Sequence, residues 1–224
     1  GPNAAMMHSS ATPESHAALE AKGLLLVDCG GQYLDGTTDT TRTMALGPIS
    51  EEERRCCTLT LKSHIALAKA VFLDGSTGSN LDVLARQPMW REGMDYKCGT
   101  GHGVGFFLSV HEGPQGFSQS HNPNKLEPGM ILTNEPGVYK AGRFGIRTEN
   151  TMLVVPAFET EDGSFRKFDV ISCCPIDVHT LDLDMLTAEE RTWLNNYHAF
   201  VRAQVTPHLN GEETDWLRKA TEAV

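Results

Sequence analysis

The stretch "LLLVDCGGQYLDGTTDTTRT", residues 24–43, holds two carboxylates in an unusual place. An apolar run, Leu24 to Val27, ends on Asp28, and a β-branched run after the turn signal "LDG" carries Asp39. The pattern predicts a β-hairpin. Asp28 and Asp39 are symmetric about Tyr33 and Leu34, so the two are expected nearly opposite each other, with Cβ atoms ~5 Å apart. Like charges placed so destabilise a sheet. Something positive must compensate, either an arginine such as Arg42 or a bound metal ion.

Further along, "GTGHGVGFFLSVHEGP" sets His102 among glycines, which let backbone and solute approach closely. His111 follows nine residues later. "LTNEPGVY" ends an apolar run at Glu135, and "GIRTENTMLVV" places Glu149 in a strand-like stretch. Each residue alone has an ordinary explanation, a packed histidine or an arginine-paired acid. Together they make four carboxylates and one imidazole, each at the edge of an apolar or glycine-rich segment. Oxygen-rich ligation with one nitrogen and no thiolate favours Mn²⁺, with Co²⁺ or Zn²⁺ as alternatives. Two ions ~3.5–4 Å apart can share carboxylates and activate one bridging water.

The 224 residues are 40% hydrophobic and 21% charged, enough for one large domain with a real core. A net charge of −10 argues against nucleic acid or an anionic membrane as partner, since each needs a basic face. No apolar stretch approaches the ~20 residues of a membrane-spanning helix. Six cysteines, in two adjacent pairs and two singles, fit neither a disulfide framework nor C-x-x-C zinc spacing. Reduced thiols in a cytoplasmic protein are the expectation.

The rest of the chain reads as mixed α and β. Ser50 and Glu53 form a capping box ahead of a helix over 50–72, with Leu61, Ile65, Ala68 and Phe72 at helical spacing. A shorter helix follows over 79–93, with Pro88 expected to kink or shorten it. "NTMLVVPAF" and "FDVISCCPI" read as strands. Composition shifts to helical near Val178, where Thr187 and Glu190 make a second capping box. The boundary divides residues 1–178 from a helical extension, 179–224.

With these motifs in view, the sequence resembles the pita-bread metallopeptidases of the three-domain aminopeptidase P (Xaa-Pro aminopeptidase) type. The matching segments are "DCGGQYLDGTTDTTRT", "GTGHGVGFFLSVHEGP", "TNEPGVY" and "FGIRTEN", and "LTAEERTWLNNYHAFV" resembles that type's C-terminal extension. The resemblance implies an α+β pita-bread fold that lacks its first elements here, with a helical C-terminal extension. It implies Asp28, Asp39, His102, Glu135 and Glu149 as ligands of a dinuclear site, with Asp39 and Glu149 bridging. It also implies His8 and His111 as active-site histidines, Glu135 as proton shuttle, and Tyr139 and Arg147 as substrate-pocket residues. The implied reaction is hydrolysis of an N-terminal Xaa-Pro bond through a water bridging two metal ions. Peptides with proline second are the implied substrates, and a homodimer the implied state of the full-length protein. Where family members have "HGTGH", this chain has "CGTGH", with Cys98 replacing an imidazole. The alternatives are a prolidase cleaving Xaa-Pro dipeptides, and an inactive fragment or peptide-binding module on the same fold.

Overall fold

The computed structural model describes residues 1–224 throughout. The expected hairpin is present as β1 (Leu24–Tyr33) and β2 (Gly36–Ala45), antiparallel over their full lengths. The chain reverses over Leu34 and Asp35, and Gly36 takes a φ of +151°, a conformation open to glycine. This turn moves the pairing two residues from the expected register. Asp28 faces Thr41 and Asp39 faces Gly30. The two acids are therefore diagonal neighbours on one face rather than directly opposite, which separates their charges while leaving both on the same surface.

Helix α1 (Glu51–Ala68) starts at the predicted capping box: the Glu53 amide donates to Ser50 Oγ at 3.2 Å, and Glu53 Oε2 accepts from the Ser50 amide at 2.8 Å. It ends four residues earlier than expected, because Val71–Leu73 forms strand β3, which pairs with β10 (Gly163–Val170). Helix α2 (Gly78–Trp90) accommodates Pro88 two residues before its end. Two short strands, β4 (Gly101–His102) and β5 (Gly116–Phe117), pair with each other. Then come β6 (Ile131–Asn134), the β7–β8 hairpin (Gly137–Lys140 and Phe144–Arg147) and β9 (Asn150–Thr160). One four-stranded sheet has the order β3-β10-β9-β6. The expected strand over "FDVISCCPI" starts earlier and stops at Val170; beyond it the carbonyls of Ser172, Cys174 and Pro175 accept from Arg42 or Tyr197 instead.

Helices α3 (Ala188–Val205) and α4 (Gly211–Ala220) close the chain, α3 behind the predicted Thr187–Glu190 capping box. Both pack into the main core. Leu186, Leu194, Tyr197, Val201 and Leu217 share one buried cluster with Leu59, Leu61 and Ile65 of α1 and Ile146 of β8. A second cluster lies under the four-stranded sheet, where Leu67, Phe72, Leu132, Met152, Val154 and Phe168 meet. Burial of a side chain of this size stabilises by about 1.5–3 kcal/mol, so the two clusters fix α1 between hairpins and sheet.

Candidate metal centre

Residues on or next to strands from separate sequence segments converge on one cavity of about 590 Å³. Asp28 and Asp39 reach it from β1 and β2, His102 from β4, Tyr139 from β7 and Arg147 from the end of β8. Glu135 follows the last residue of β6 and Glu149 precedes the first of β9, and both line the same space. His8 and His111 complete the set, so all nine candidate site residues come together, with Cys98 in the same wall.

Local backbone explains the placement. A methyl group at Gly101 would stand 2.0 Å from the Thr133 carbonyl oxygen, so only glycine lets β4 press against β6 and carry His102 to the acids. The Glu135 amide donates to the Thr100 carbonyl at 2.8 Å, tying that glutamate to the same loop. A bond from the Glu112 amide to the Gly103 carbonyl, 2.9 Å, folds the following loop back and brings His111 edge-on to His102, ring centroids 4.1 Å apart.

Three overlapping groups of ligand atoms lie within 4.8 Å of one another: Asp28, Asp39 and Glu149; His102, Glu135 and Glu149; Asp39, His102 and His111. Asp39, Glu149 and His102 each belong to two groups. The His102 ring is held by its Nδ1, which donates to the Gly103 carbonyl at 2.9 Å. Its Nε2 then faces inward, 3.3 Å from both Asp39 Oδ2 and Glu135 Oε1.

The compensating arginine is Arg147, not Arg42. Strand alternation puts Asp39, Thr41 and Thr43 on one face of β2 and Arg42 on the other. Arg42 turns into the protein, where its guanidinium donates to the carbonyls of Thr41, Glu149, Cys174 and Pro175, to Asn150 Oδ1 and to the Tyr197 hydroxyl. Arg147 instead reaches Asp28 Oδ2 at 2.5 Å and Glu135 Oε2 at 3.7 Å, and donates to the Tyr139 hydroxyl at 2.9 Å. Three threonines that the sequence reading passed over orient the acids or the loop that carries them. Thr41 donates to Glu149 Oε2 at 2.6 Å, Thr133 donates to Glu135 Oε1 at 3.0 Å, and the Thr100 carbonyl holds the Glu135 amide. Thr41 sits two residues after Asp39, so period-two alternation is the signal that could have found it.

The four carboxyls share a single arginine, Arg147. Neither Asp39 nor Glu149 is paired with a lysine or arginine. Glu149 is 1% exposed, and burial, with Glu135 and Asp39 beside it, pushes its carboxyl up to about 8. Burial likewise raises Glu135, against the pull of His102 and Arg147. Burial disfavours charge on His102, yet Asp39, the Gly103 carbonyl and Glu135 outweigh it and push the imidazole up to about 9. Four carboxyls and an inward imidazole, oriented by hydrogen bonds and carrying protons that a cation would displace, suit hard divalent cations. Burial, with Glu135 adding to it, raises the Cys98 thiol, so it stands neutral in the cavity wall rather than replacing an imidazolium donor.

Comparison with known proteins agrees with this geometry. The profile of metallopeptidase family M24 matches residues 1–156, and that of the C-terminal region of peptidase M24 matches residues 164–224. Aminopeptidase P1 of Lotus japonicus is 46% identical over 228 residues, covering 100% of this chain and 35% of its own. Aminopeptidase P1 of Arabidopsis thaliana is 46% identical over 230 residues, with 100% and 36% covered. The chain thus spans about a third of the length of the curated relatives it matches. Among solved structures, the X-prolyl aminopeptidase of Caenorhabditis elegans, described as a cytosolic enzyme with a dinuclear active site, superposes with a TM-score of 0.93 at 39% identity, covering 100% of this chain and 37% of that one. The Xaa-Pro dipeptidase of Bacillus anthracis gives 0.63 at 28% identity over 78% of this chain and 45% of its own. The architecture is the pita-bread fold, and with that family's profile running through the hairpin, the glycine-rich loop and both glutamates, the chain belongs to metallopeptidase family M24.

Proposed function

We propose that this chain carries the dinuclear metal centre of an aminopeptidase that hydrolyses the N-terminal Xaa-Pro bond of peptides. The observation that carries the reading is the single cavity lined by Asp28, Asp39, His102, Glu135 and Glu149, whose ligand atoms fall into overlapping groups joined through Asp39, His102 and Glu149. Two divalent ions would be held there, Mn²⁺ favoured by the oxygen-rich donors and Co²⁺ or Zn²⁺ as alternatives. When bound, they would supply activation of a water at neutral pH and charge stabilisation at the scissile carbonyl.

The chain's own residues do the rest. The inward imidazole of His102 and the threonine-held glutamates present preorganised ligand atoms, and Arg147 keeps Asp28 and Glu135 in place. A Xaa-Pro bond is a tertiary amide, so its nitrogen needs a proton to depart as an amine. The Glu135 carboxyl is the proposed carrier of that proton. His111, beside His102, and His8, which lines the same cavity, are proposed to donate hydrogen bonds to the substrate from the cavity wall. Tyr139 and Arg147, hydrogen-bonded to each other, are proposed to shape the substrate pocket. A homodimer and a cytosolic location are proposed for the full-length protein, the latter in line with the C. elegans neighbour.

Metal analysis of the purified chain, together with hydrolysis of Xaa-Pro-Xaa tripeptides against Xaa-Pro dipeptides, tests this reading. Two ions per chain and a tripeptide preference are expected. A dipeptide preference would make it a prolidase, and a metal-free, inactive chain would make it a peptide-binding module.

A further inference from the structure

Glu135 and Glu149 sit one residue beyond the last rung of the β6–β9 ladder, where Asn134 pairs with Asn150. That rung is bridged by a side chain from another element. His64, on α1 and fully buried, approaches Asn134 with Nδ1 and Asn150 with Nε2. The Asn134 carbonyl can only accept, so Nδ1, 3.0 Å away, carries the hydrogen. Nε2 is then the acceptor for the Asn150 side-chain Nδ2 at 3.1 Å. The Asn134 side-chain Nδ2 donates back to the His64 backbone carbonyl at 2.9 Å, closing a two-way link between helix and strand.

We infer that His64 is a positioning residue, a staple that sets the distance and direction of Glu135 and Glu149 toward the metal centre. This inference rests on the metal reading proposed above. The ring touches neither glutamate; it acts through the two asparagines flanking them. The same Asn150 side chain is held from the far side, where its Oδ1 accepts from Arg42 and from the Tyr197 hydroxyl of α3. Trp193, also on α3, stands edge-on to the His64 ring with centroids 5.8 Å apart. Helix α3 thereby supports the rung as well. Ligand atoms that must meet a cation within a few tenths of an ångström need such support, since a loose ligand spends binding energy on its own ordering. Burial, foremost, holds the imidazole neutral, consistent with one nitrogen donating and the other accepting.

Three substitutions separate hydrogen bonding from space-filling. His64→Asn can keep the donor to the Asn134 carbonyl, His64→Gln can keep the acceptor for Asn150, and His64→Leu keeps neither but fills nearly the same volume. Mn²⁺ binding to the metal-stripped 224-residue chain, followed by titration and by the Mn²⁺-induced rise in Tm, is the readout. Outer hydrogen-bond partners of metal ligands typically govern affinity by about 10- to 100-fold, and a staple one bond further out belongs at the low end. Affinity is expected to fall about tenfold in the leucine variant and less in the other two. If His64→Leu does not fold, the asparagine and glutamine variants decide, each expected to bind Mn²⁺ more weakly than wild type. Wild-type Mn²⁺ affinity in the leucine variant, or in both amide variants, would overturn the staple while leaving the metal reading intact. A wild-type chain that binds no Mn²⁺, Co²⁺ or Zn²⁺ would overturn both.

Discussion

Replacing Arg42 with methionine should be among the most destabilising single changes in this chain, although Arg42 contacts no carboxylate. Its guanidinium, on a residue 6% exposed, donates to six acceptors from four parts of the sequence. Methionine fills the stem but leaves those acceptors behind. The Tyr197 hydroxyl can still serve Asn150 Oδ1 or the Cys174 carbonyl, and the Thr41 carbonyl keeps the Glu149 amide. That leaves two or three buried acceptors unpaired, each costing about 1–3 kcal/mol, for a total near 3–5 kcal/mol. Against a typical stability of about 5–15 kcal/mol this is a large share. For a domain of this size it corresponds to a drop in Tm of roughly 10 °C. Thermal and urea unfolding followed by circular dichroism, in EDTA to remove metal effects, measures it. Arg42→Lys is the sharper control: one ammonium cannot reach six acceptors spread over a planar fork, so lysine should recover only a minor part. A lysine variant within about 2 °C of wild type would refute the argument that the fork geometry matters.

Other outcomes follow from the same structure. Asp39→Asn should abolish hydrolysis and lower metal content, because the amide keeps the shape but loses the charge; retention of two ions and near-normal turnover would count against a bridging role. Mn²⁺ should raise Tm by a margin that grows from pH 6 to pH 9, since the cation must displace protons from His102, held at about 9, and Glu149, at about 8; a pH-independent increment would contradict this. Metal-free protein should lose stability as pH falls below about 6.5, because burial above all lowers His64 to about 3 and His198 to about 4. These folded values lie below the unfolded one, so each histidine's contribution is complete above pH 6.5 and declines by about 1.4 kcal/mol per unit below it, while Glu149, raised to about 8, offsets one histidine's share down to about pH 4.5; His198→Gln should flatten the net decline. Cleavage after Val178 should be resisted by native protein. Deleting residues 179–224 would strip Tyr197 from Arg42, Trp193 from His64 and Glu190 from Lys62, and should abolish cooperative unfolding.

Much of the site can be read from local chemistry. An acid closing an apolar run, a histidine among glycines and a glutamate before proline are each visible within a few residues. The capping boxes at Ser50–Glu53 and Thr187–Glu190 are local hydrogen bonds, and the structure forms both as written in the sequence. The pita-bread fold itself came from resemblance of several spaced motifs, since composition and periodicity allow many mixed α and β arrangements.

Tertiary structure decided what depends on offset and reach. Strand alternation fixes which residues share a face, so Asp28 and Asp39 were placed on one surface correctly; the turn at Leu34 and Asp35 sets the register, and it moved them from opposite to diagonal. An arginine side chain is long enough to serve either of several partners, so proximity in sequence pointed to Arg42 while the fold gave the acids Arg147 from 119 residues beyond Asp28. The strand "ISCCPI" dissolved because its carbonyls found a buried guanidinium, a partner invisible until the chain closes. His64 reads in sequence as one more residue on the buried face of a helix. Its place behind both glutamates exists only once α1, β6 and β9 are packed together, because the hydrogen bonds that define it join residues 70 and 86 positions apart.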